Sequence, residues 1–186
     1  MNSPIVPRQI RRVFQGRIFT VTVESITLPR GERLDAEIVR HPGSAVLIPV
    51  MADGTIVLVR QYRHAIGGFA WELPAGSLEQ GEDPREAAER ECQEEIGLIP
   101  SVVERVGGFF PTPGYCDEEM HFFLATGLRE PAEGDPTARQ DEDEDIESKA
   151  FSVEDIREMI ATGAIVDLKT VAGLALMQGP GSRART

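Results

Sequence analysis

The chain has 186 residues, a length that fits one domain with a sizeable hydrophobic core. Its formal net charge of −12 argues against nucleic acid as a partner, although a polyanionic small molecule is acceptable when divalent cations bridge it to the protein. The two cysteines form neither a C-x-x-C motif nor a disulfide framework, which favours a reducing cytoplasm.

The N-terminal region is predicted to be a β-structured arm. No apolar run in the chain is long enough for a signal peptide or a membrane span, so we expect no membrane partner. Residues 1–10 are expected to form a loose arm. Across residues 12–28, β-branched and aromatic residues alternate with polar ones, which indicates one long strand or a broken pair. Pro29 and Gly31 mark a turn, and residues 33–40 are predicted to return as a strand, giving an antiparallel β-hairpin region.

Buried strands are predicted next along the chain. Residues 44–50 form a continuous apolar run, which is typical of a central strand buried on both faces. A tight turn at Asp53 and Gly54 leads to a second strand over residues 55–61. Trp71 lies in a later apolar strand, where we expect it to pack in the core rather than to stack on a nucleobase.

Residues 84–96 are predicted to form a helix. Asp83 can cap its N-terminus, Pro84 suits its first position, and Gly97 is placed to end it. One apolar stripe with i, i+4, i+8 spacing consists of Ala88, Cys92 and Ile96. This stripe should be buried against the core.

Three glutamates lie together on another face of the same helix: Glu91, Glu94 and Glu95. Like charges at this spacing destabilise a free helix, so a positive group should lie over that face. One interpretation is a solvated acidic surface. The other is a cation site, because clustered carboxylates are hard oxygen ligands suited to Mg²⁺ or Mn²⁺.

The rest of the chain predicts strands, a stiff loop and two helices. The predicted elements are strands over residues 101–110, 120–128 and 146–151 and helices over residues 153–161 and 167–177. Pro113 and Gly114 make the connection after residue 110 a stiff loop. Residues 129–145 have almost no apolar content and are expected to form a mobile loop.

The helix and the loop before it carry a pattern of spaced residues that is far more specific than a short glycine motif. The pattern runs G-x₅-E-x₇-R-E-C-x-E-E-x-G-L from Gly76 to Leu98 and resembles the Nudix box at every fixed position. The resemblance implies an α/β fold, an α/β/α sandwich with mixed sheets. It also implies hydrolysis of a nucleoside diphosphate linked to another group, with Mg²⁺ or Mn²⁺ as cofactor and two or more ions in each site.

The same resemblance implies a set of site residues. The implied metal ligands are Glu91 and Glu95 as the main pair, Glu94 and Glu82 in support, and the carbonyl of Ala75. Arg90 is expected to hold Glu82 in place, and Arg90 and Glu94 also count as candidate catalytic residues.

The loop after residue 110 resembles a mark of the ADP-ribose pyrophosphatase branch. It reads T-P-G-Y-C-D-E over residues 112–118, with its proline 16 residues beyond Gly97 (113 − 97 = 16). The implied substrate-binding residues are Arg63, within a Q-Y-R segment, and Pro113, Gly114, Tyr115 and Glu118. Arg63 has an alternative interpretation as an ordinary surface arginine. A related branch that cleaves GDP-mannose has a similar turn but usually lacks the D-E pair, and it is the alternative substrate class.

The acidic run at the end of the predicted mobile loop has two interpretations. It is either a solvated charge run or a loop that brings a carboxylate to the metals. The E-x-E-D-I pattern resembles the loop that supplies the catalytic base in ADP-ribose hydrolases, with Glu142 as the base and Glu144 as an added metal ligand or the alternative base.

We expect three regions: residues 1–40 as an arm, 41–178 as the hydrolase domain and 179–186 as a tail. In the relatives that the chain resembles, such an arm packs against or swaps with a second subunit, which implies a homodimer. The alternative is that the arm only caps one sheet of a monomer. A non-catalytic module that binds a nucleotide derivative is the remaining alternative, although no carboxylate of the box is missing.

Overall fold

The computed structural model describes residue 7, residues 9–135 and residues 146–177. Within these ranges the chain forms ten strands and three α-helices. The strands are β1 Gln9–Gln15, β2 Thr20–Thr27, β3 Arg33–Arg40, β4 Ser44–Pro49, β5 Ile56–Arg63, β6 Gly68–Glu72, β7 Ala75–Ser77, β8 Val102–Phe109, β9 Met120–Thr126 and β10 Glu147–Phe151. The helices are α1 Pro84–Ile96, α2 Val153–Ala161 and α3 Leu168–Leu176, and a short 3₁₀ helix spans His64–Ile66.

The centre of the domain is a four-stranded mixed sheet with the strand order β7-β4-β9-β8. Strand β4 runs parallel to β9 and antiparallel to β7, and β8 runs antiparallel to β9. Every residue of β4 is buried, as its continuous apolar sequence predicts for a strand covered on both faces.

The two faces of β4 supply two separate hydrophobic cores. Ala45 and Leu47 pack with Ala88 and Cys92 of α1, and Phe123 of β9 completes this cluster. The alternate residues of the strand point to the other face, because successive side chains of a strand lie on opposite sides. This second cluster joins the strand to β5, α2 and α3, and it includes Val46, Ile48, Leu58, Ile156 and Leu174.

A second sheet lies on the face of the central sheet away from α1. It is antiparallel, with the order β10-β5-β6, and Ile56 and Leu58 of β5 contribute to the shared core. Trp71 is partly buried against this core and its ring meets Phe151 edge to face at 5.0 Å, so it packs as predicted. The layers form the expected α/β/α sandwich, in which one sheet is mixed and the others are antiparallel.

The N-terminal region is a three-stranded antiparallel sheet with the order β1-β2-β3. The segment predicted as one strand or a broken pair is therefore a pair, with a break around Gly16. Strand β1 begins at Gln9, inside the segment expected to be a loose arm, and all seven of its residues are exposed. The end of β3 is tied to the rest of the chain by a bridge between Val39 and Cys116.

Helices α1 and α2 have the bounds that the sequence predicts. Asp83 accepts a hydrogen bond from the Arg85 N–H, and Gly97 adopts the left-handed conformation that ends α1. Ser152 and Asp155 form a reciprocal capping box at α2. Burial raises the pKa of the Cys92 thiol to about 12, in keeping with its place on the apolar stripe of α1.

Part of the predicted chain lies outside the described residues. This applies to Glu142 and Glu144 and to the tail over residues 179–186. Among the described residues, no helix is both long enough and apolar enough to cross a membrane.

Candidate active site

Two glutamates of α1 are buried where the helix meets β7. Glu91 and Glu95 are 8% and 7% exposed. Glu95 Oε2 accepts a hydrogen bond of 2.8 Å from the Ala75 N–H. A side chain at Gly76 would overlap the carboxylate of Glu91, so only glycine leaves the space that this carboxylate occupies. The glycine at the start of the motif therefore sets the position of a glutamate fifteen residues later (91 − 76 = 15).

Arg90 supplies the positive charge that the acidic face of α1 requires. Its Nε and Nη2 atoms bond both oxygens of Glu82 at 3.0 and 3.2 Å. Its Nη1 atom donates to Glu91 and to Glu94, each at 2.7 Å. The predicted contact between Arg90 and Glu82 is thus present. The roles of these residues at a metal ion stay predictions.

This arrangement favours the ionised forms of both partners. The hydrogen bond to Glu82 is the largest influence on Arg90 and, against the opposing effect of burial, raises the pKa of its guanidinium. The same bond lowers the pKa of Glu82, and the Glu79 N–H, which donates to Glu82 at 2.8 Å, contributes to that shift. Glu82 therefore remains a carboxylate at neutral pH.

The donor set fits a hard divalent cation by its chemistry. Arg90 binds three carboxylates, those of Glu82, Glu91 and Glu94, and each carboxylate offers two oxygens, of which Arg90 engages one on Glu91 and one on Glu94. Within the part of the chain that the structure describes, no three of the acidic, histidine or cysteine side chains form a ready-made coordination shell. The residues that would hold an ion are Glu91 and Glu95, with Glu82, Glu94 and the Ala75 carbonyl beside them.

Arg63 lies at the end of β5 and is tied to a buried carboxylate. Its Nε donates to Glu72 Oε1 at 2.7 Å, and the Glu72 side chain is 4% exposed. Burial, the largest influence, acts to lower the Arg63 pKa, but the bond to Glu72 and the charges of Glu72, Glu95 and Asp167 together raise it. Arg63 is therefore paired with a buried carboxylate, which distinguishes it from an isolated surface arginine.

The loop predicted to bind substrate is fastened to the β3–β4 connection. Asp117 accepts hydrogen bonds of 2.8 Å from Arg40 Nη1 and from the His41 N–H. Burial alone would raise the Asp117 pKa, but these bonds lower it. Glu118 accepts a bond of 2.9 Å from Ser44 Oγ. The acidic pair therefore anchors the loop to the strand that forms the centre of the fold.

The other predicted substrate-binding residues lie in the loop that Asp117 and Glu118 anchor. Pro113, Gly114 and Tyr115 lie in the same loop, with Tyr115 56% exposed and its carbonyl bonded to the Val39 N–H at 2.7 Å. Among the described residues, the hydrogen bonds from residues 112–118 to the rest of the chain run to β3, to β4 and to the connection between them. The substrate roles of Pro113, Gly114, Tyr115 and Glu118 stay predictions.

The sequence analysis did not identify three charged residues near Arg63 as part of the site: Glu72, Asp167 and Lys169. Lys169 is buried and bonded to Glu72, and Asp167 accepts from both the N–H and the Oγ1 of Thr170. A signal was present, because Lys169 interrupts an otherwise apolar helix. Its partner Glu72 lies 97 residues away in sequence, so the pairing itself had no local mark.

Comparisons with known proteins identify the family and the fold of the chain. The sequence profile of the NUDIX domain matches residues 40–173. The chain is 34% identical over 167 residues to the ADP-ribose pyrophosphatase of Bacillus subtilis (strain 168), covering 90% of this chain and 89% of that protein. It is 36% identical, with the same coverage, to the methanol dehydrogenase activator of Bacillus methanolicus. The crystal structure of an ADP compounds hydrolase has the same fold, with a TM-score of 0.79 at 19% identity over 95% of this chain and 93% of that one.

The close approach of Gly76 and Glu91 generates a prediction about metal binding. In Gly76→Ala the added methyl group displaces the Glu91 carboxylate, so we expect the affinity for Mn²⁺ to fall at least about tenfold, the effect typical of disturbing a group that orients a ligand. Isothermal titration calorimetry with Mn²⁺ measures this. Gly68→Ala is the matched control, because Gly68 has open space around it and ordinary backbone angles. Equal Mn²⁺ affinity in both variants would contradict the role of Gly76.

Proposed function

The chain belongs to the Nudix family, and from this premise we propose that it is a hydrolase that cleaves the diphosphate of ADP-ribose or of a close nucleoside diphosphate sugar. The products from ADP-ribose are AMP and ribose 5-phosphate. The observation that carries the proposal is the group of carboxylates bound by Arg90, those of Glu82, Glu91 and Glu94, with Glu95 buried beside β7. The choice of substrate rests on the Bacillus subtilis relative and on the loop over residues 112–118.

Nudix hydrolases generally use divalent cations, and we propose that this site binds two or more ions of Mg²⁺ or Mn²⁺. When bound, such ions neutralise a diphosphate and lower the pKa of an attacking water. Glu91 and Glu95 would hold them, assisted by Glu94, Glu82 and the carbonyl of Ala75. Arg90 holds Glu82 and Glu94 in place through the hydrogen bonds already described.

Arg63 and the anchored loop are proposed to hold the substrate. Arg63 offers a guanidinium, whose planar fork suits phosphate oxygens. Pro113 and Gly114 shape the loop, Glu118 fixes it to β4, and the exposed Tyr115 is available to a sugar or a base. We propose Glu142 as the general base, with Glu144 as an added metal ligand or the alternative base, on the strength of the sequence pattern around them.

Product analysis tests the proposed function. The protein is incubated with Mg²⁺ or Mn²⁺ and a panel of ADP-ribose, ADP-sugars, GDP-mannose, NADH and dinucleoside polyphosphates. We expect the fastest turnover with ADP-ribose and equal amounts of AMP and ribose 5-phosphate.

Glu95→Gln should lose most of this activity, on the order of 10³-fold, while keeping the unfolding temperature of the wild type. Near-full turnover by Glu95→Gln at saturating Mg²⁺ would contradict the metal assignment.

The other outcomes of the panel separate the alternatives. Faster cleavage of GDP-mannose would keep the chain among the Nudix hydrolases and move it to the other substrate class. If no compound is turned over while ADP-ribose still binds, the chain is a non-catalytic module, and the activity of a partner enzyme becomes the quantity to measure. The name of the Bacillus methanolicus relative describes an effect of that kind.

The assignment of the base gives a second prediction. Glu142→Gln should lower kcat by about 10²- to 10⁴-fold and leave KM nearly unchanged, because a general base acts in the transition state rather than in ground-state binding. Glu144→Gln is the matched variant, two residues away in the same acidic run. Steady-state kinetics on ADP-ribose distinguishes the two. A larger loss of kcat in Glu144→Gln would move the base to Glu144.

We propose that the protein is a cytoplasmic homodimer and that the N-terminal sheet forms the interface. Phe14 and Phe19 are 53% and 41% exposed, and their ring centroids lie 5.9 Å apart. Ile10 and Ile18 are also at least half exposed. Apolar side chains clustered in this way on a solvated surface favour association with another chain.

Light scattering coupled to size exclusion measures the proposed dimer. We expect the wild type to have the mass of two chains and Phe14→Ser to shift toward the mass of one, since the variant loses a large apolar contact. Phe110→Ser is the control, because Phe110 is 52% exposed in a loop outside the N-terminal sheet. A wild-type protein with the mass of one chain would refute the dimer.

A further inference from the structure

A chain of four charged side chains runs from Arg63 into the interior. Glu72 of β6 is 3% exposed and bonds Arg63 Nε with one oxygen and Lys169 Nζ with the other. Lys169 of α3 is 8% exposed, and its Nζ also lies 3.2 Å from Asp167 Oδ1. The buried carboxylate of Glu72 is therefore shared between two cations that come from different parts of the fold.

The buried cation on α3 is a lysine, which is a rare residue in this chain. The sequence contains only two lysines, Lys149 and Lys169, and all its other basic residues apart from histidine are arginines. Burying an ammonium group costs free energy unless it is paired, and apolar residues of similar volume would stabilise a helix in that position as well or better. Lysine presents a compact charge that can contact two carboxylates at once. Lys169 therefore has a role beyond the packing of α3.

Helix α3 is connected to the segment that leads to the candidate metal ligands. The Leu73 N–H donates to Thr170 Oγ1 at 2.8 Å, and Asp167 caps the helix by accepting from the Thr170 N–H. Two residues after Leu73, the Ala75 N–H bonds Glu95. The backbone between Glu72 and Ala75 is thus fixed by α3 on one side and by α1 on the other.

The balance of charge depends on Lys169. Arg63 and Lys169 carry two positive charges and Glu72 and Asp167 carry two negative ones, so the group is neutral (2 − 2 = 0). Without Lys169 the group has a net charge of −1, and Glu95 adds a further negative charge whose effect reaches Arg63. The guanidinium of Arg63 would then lie among unbalanced carboxylates, which repel an incoming anion.

We propose that Lys169 is a positioning residue that balances the charge of Glu72, so that Arg63 remains an effective cation toward the anionic substrate. This inference rests on the proposed function, in which Arg63 contacts the diphosphate. Lys169 itself does not touch the substrate. It acts through Glu72, which holds the Arg63 guanidinium at its Nε and leaves the arginine in a fixed orientation at the end of β5.

A pair of variants tests the charge balance. Lys169→Met should raise KM for the hydrolysed substrate about tenfold, with a smaller change in kcat, because ground-state binding of the anion is weakened. Adding Glu72→Gln to Lys169→Met removes the unbalanced carboxylate and retains an acceptor for Arg63 Nε. The double variant should therefore recover a KM within about threefold of the wild type.

A purely structural role for the pair gives a different result. In that case the double variant would be at least as impaired as Lys169→Met, and the loss would appear as a smaller active fraction with unchanged KM. Either result overturns the inference. Lys149→Met and Arg60→Gln are the matched controls. Lys149 is the other lysine of the chain and lies over the Phe151 ring on β10. Arg60 is on β5, the same strand as Arg63, and pairs with Glu147 of β10.

A measurement on the wild-type protein covers the case in which Lys169→Met does not fold. Labelling lysine side chains with ¹³C gives two signals for NMR, and Lys149→Met assigns them. Inorganic pyrophosphate added with Mg²⁺ should shift the Lys169 signal and leave that of Lys149 in place, and Arg63→Gln should abolish the response. Pyrophosphate binding without a shift of the Lys169 signal overturns the inference.

The same measurement separates the inference from the proposed function. Hydrolysis of ADP-ribose together with an unresponsive Lys169 signal leaves the function standing and overturns the inference. A Lys169 response to pyrophosphate in a protein that hydrolyses no compound of the panel overturns the proposed function and supports the anion-binding role of Arg63.

Discussion

Repulsion between carboxylates on one short helix is the constraint on which the site depends. Glu91, Glu94 and Glu95 lie within five residues, and two of them are buried. Arg90 relieves part of this repulsion by bonding two of them, and at the same time it holds Glu82 in the preceding loop. The same carboxylates that make the helix unfavourable on its own make it a suitable place for a divalent cation, because carboxylate oxygens are the ligands that hard cations prefer.

The fold positions this helix by burying its opposite face. Ala88 and Cys92 pack against β4, whose other face supplies the core shared with α2 and α3. The central strand thus connects the carboxylates of α1 to the second sheet, which carries Arg63 at the end of β5. The proposed site, with metal ligands on α1 and a phosphate-binding arginine on β5, would thus be assembled from both sides of one buried strand.

The local features of the structure were predictable from the sequence, and the long-range pairings were less so. The bounds of α1 and α2 follow from the capping residues Asp83 and Ser152, because a cap acts within a few residues of its own position. The buried strand β4 follows from its unbroken apolar run. By contrast, the bond between Glu72 and Lys169 and the anchoring of Asp117 by Arg40 join residues far apart in the chain, and no local pattern specifies them. The break that makes the N-terminal region a three-stranded sheet was one of two alternatives, since strand alternation alone does not fix where a strand ends.

The two cysteines differ in a way that has a practical consequence. Thiolates are the species that react with maleimides and iodoacetamides, and burial keeps the Cys92 thiol protonated and inaccessible. Cys116 is partly exposed in the loop next to Tyr115. The folded chain therefore carries one natural attachment point for a fluorophore, located on the loop that we propose to bind substrate. A dye placed there would test that proposal without any engineered cysteine.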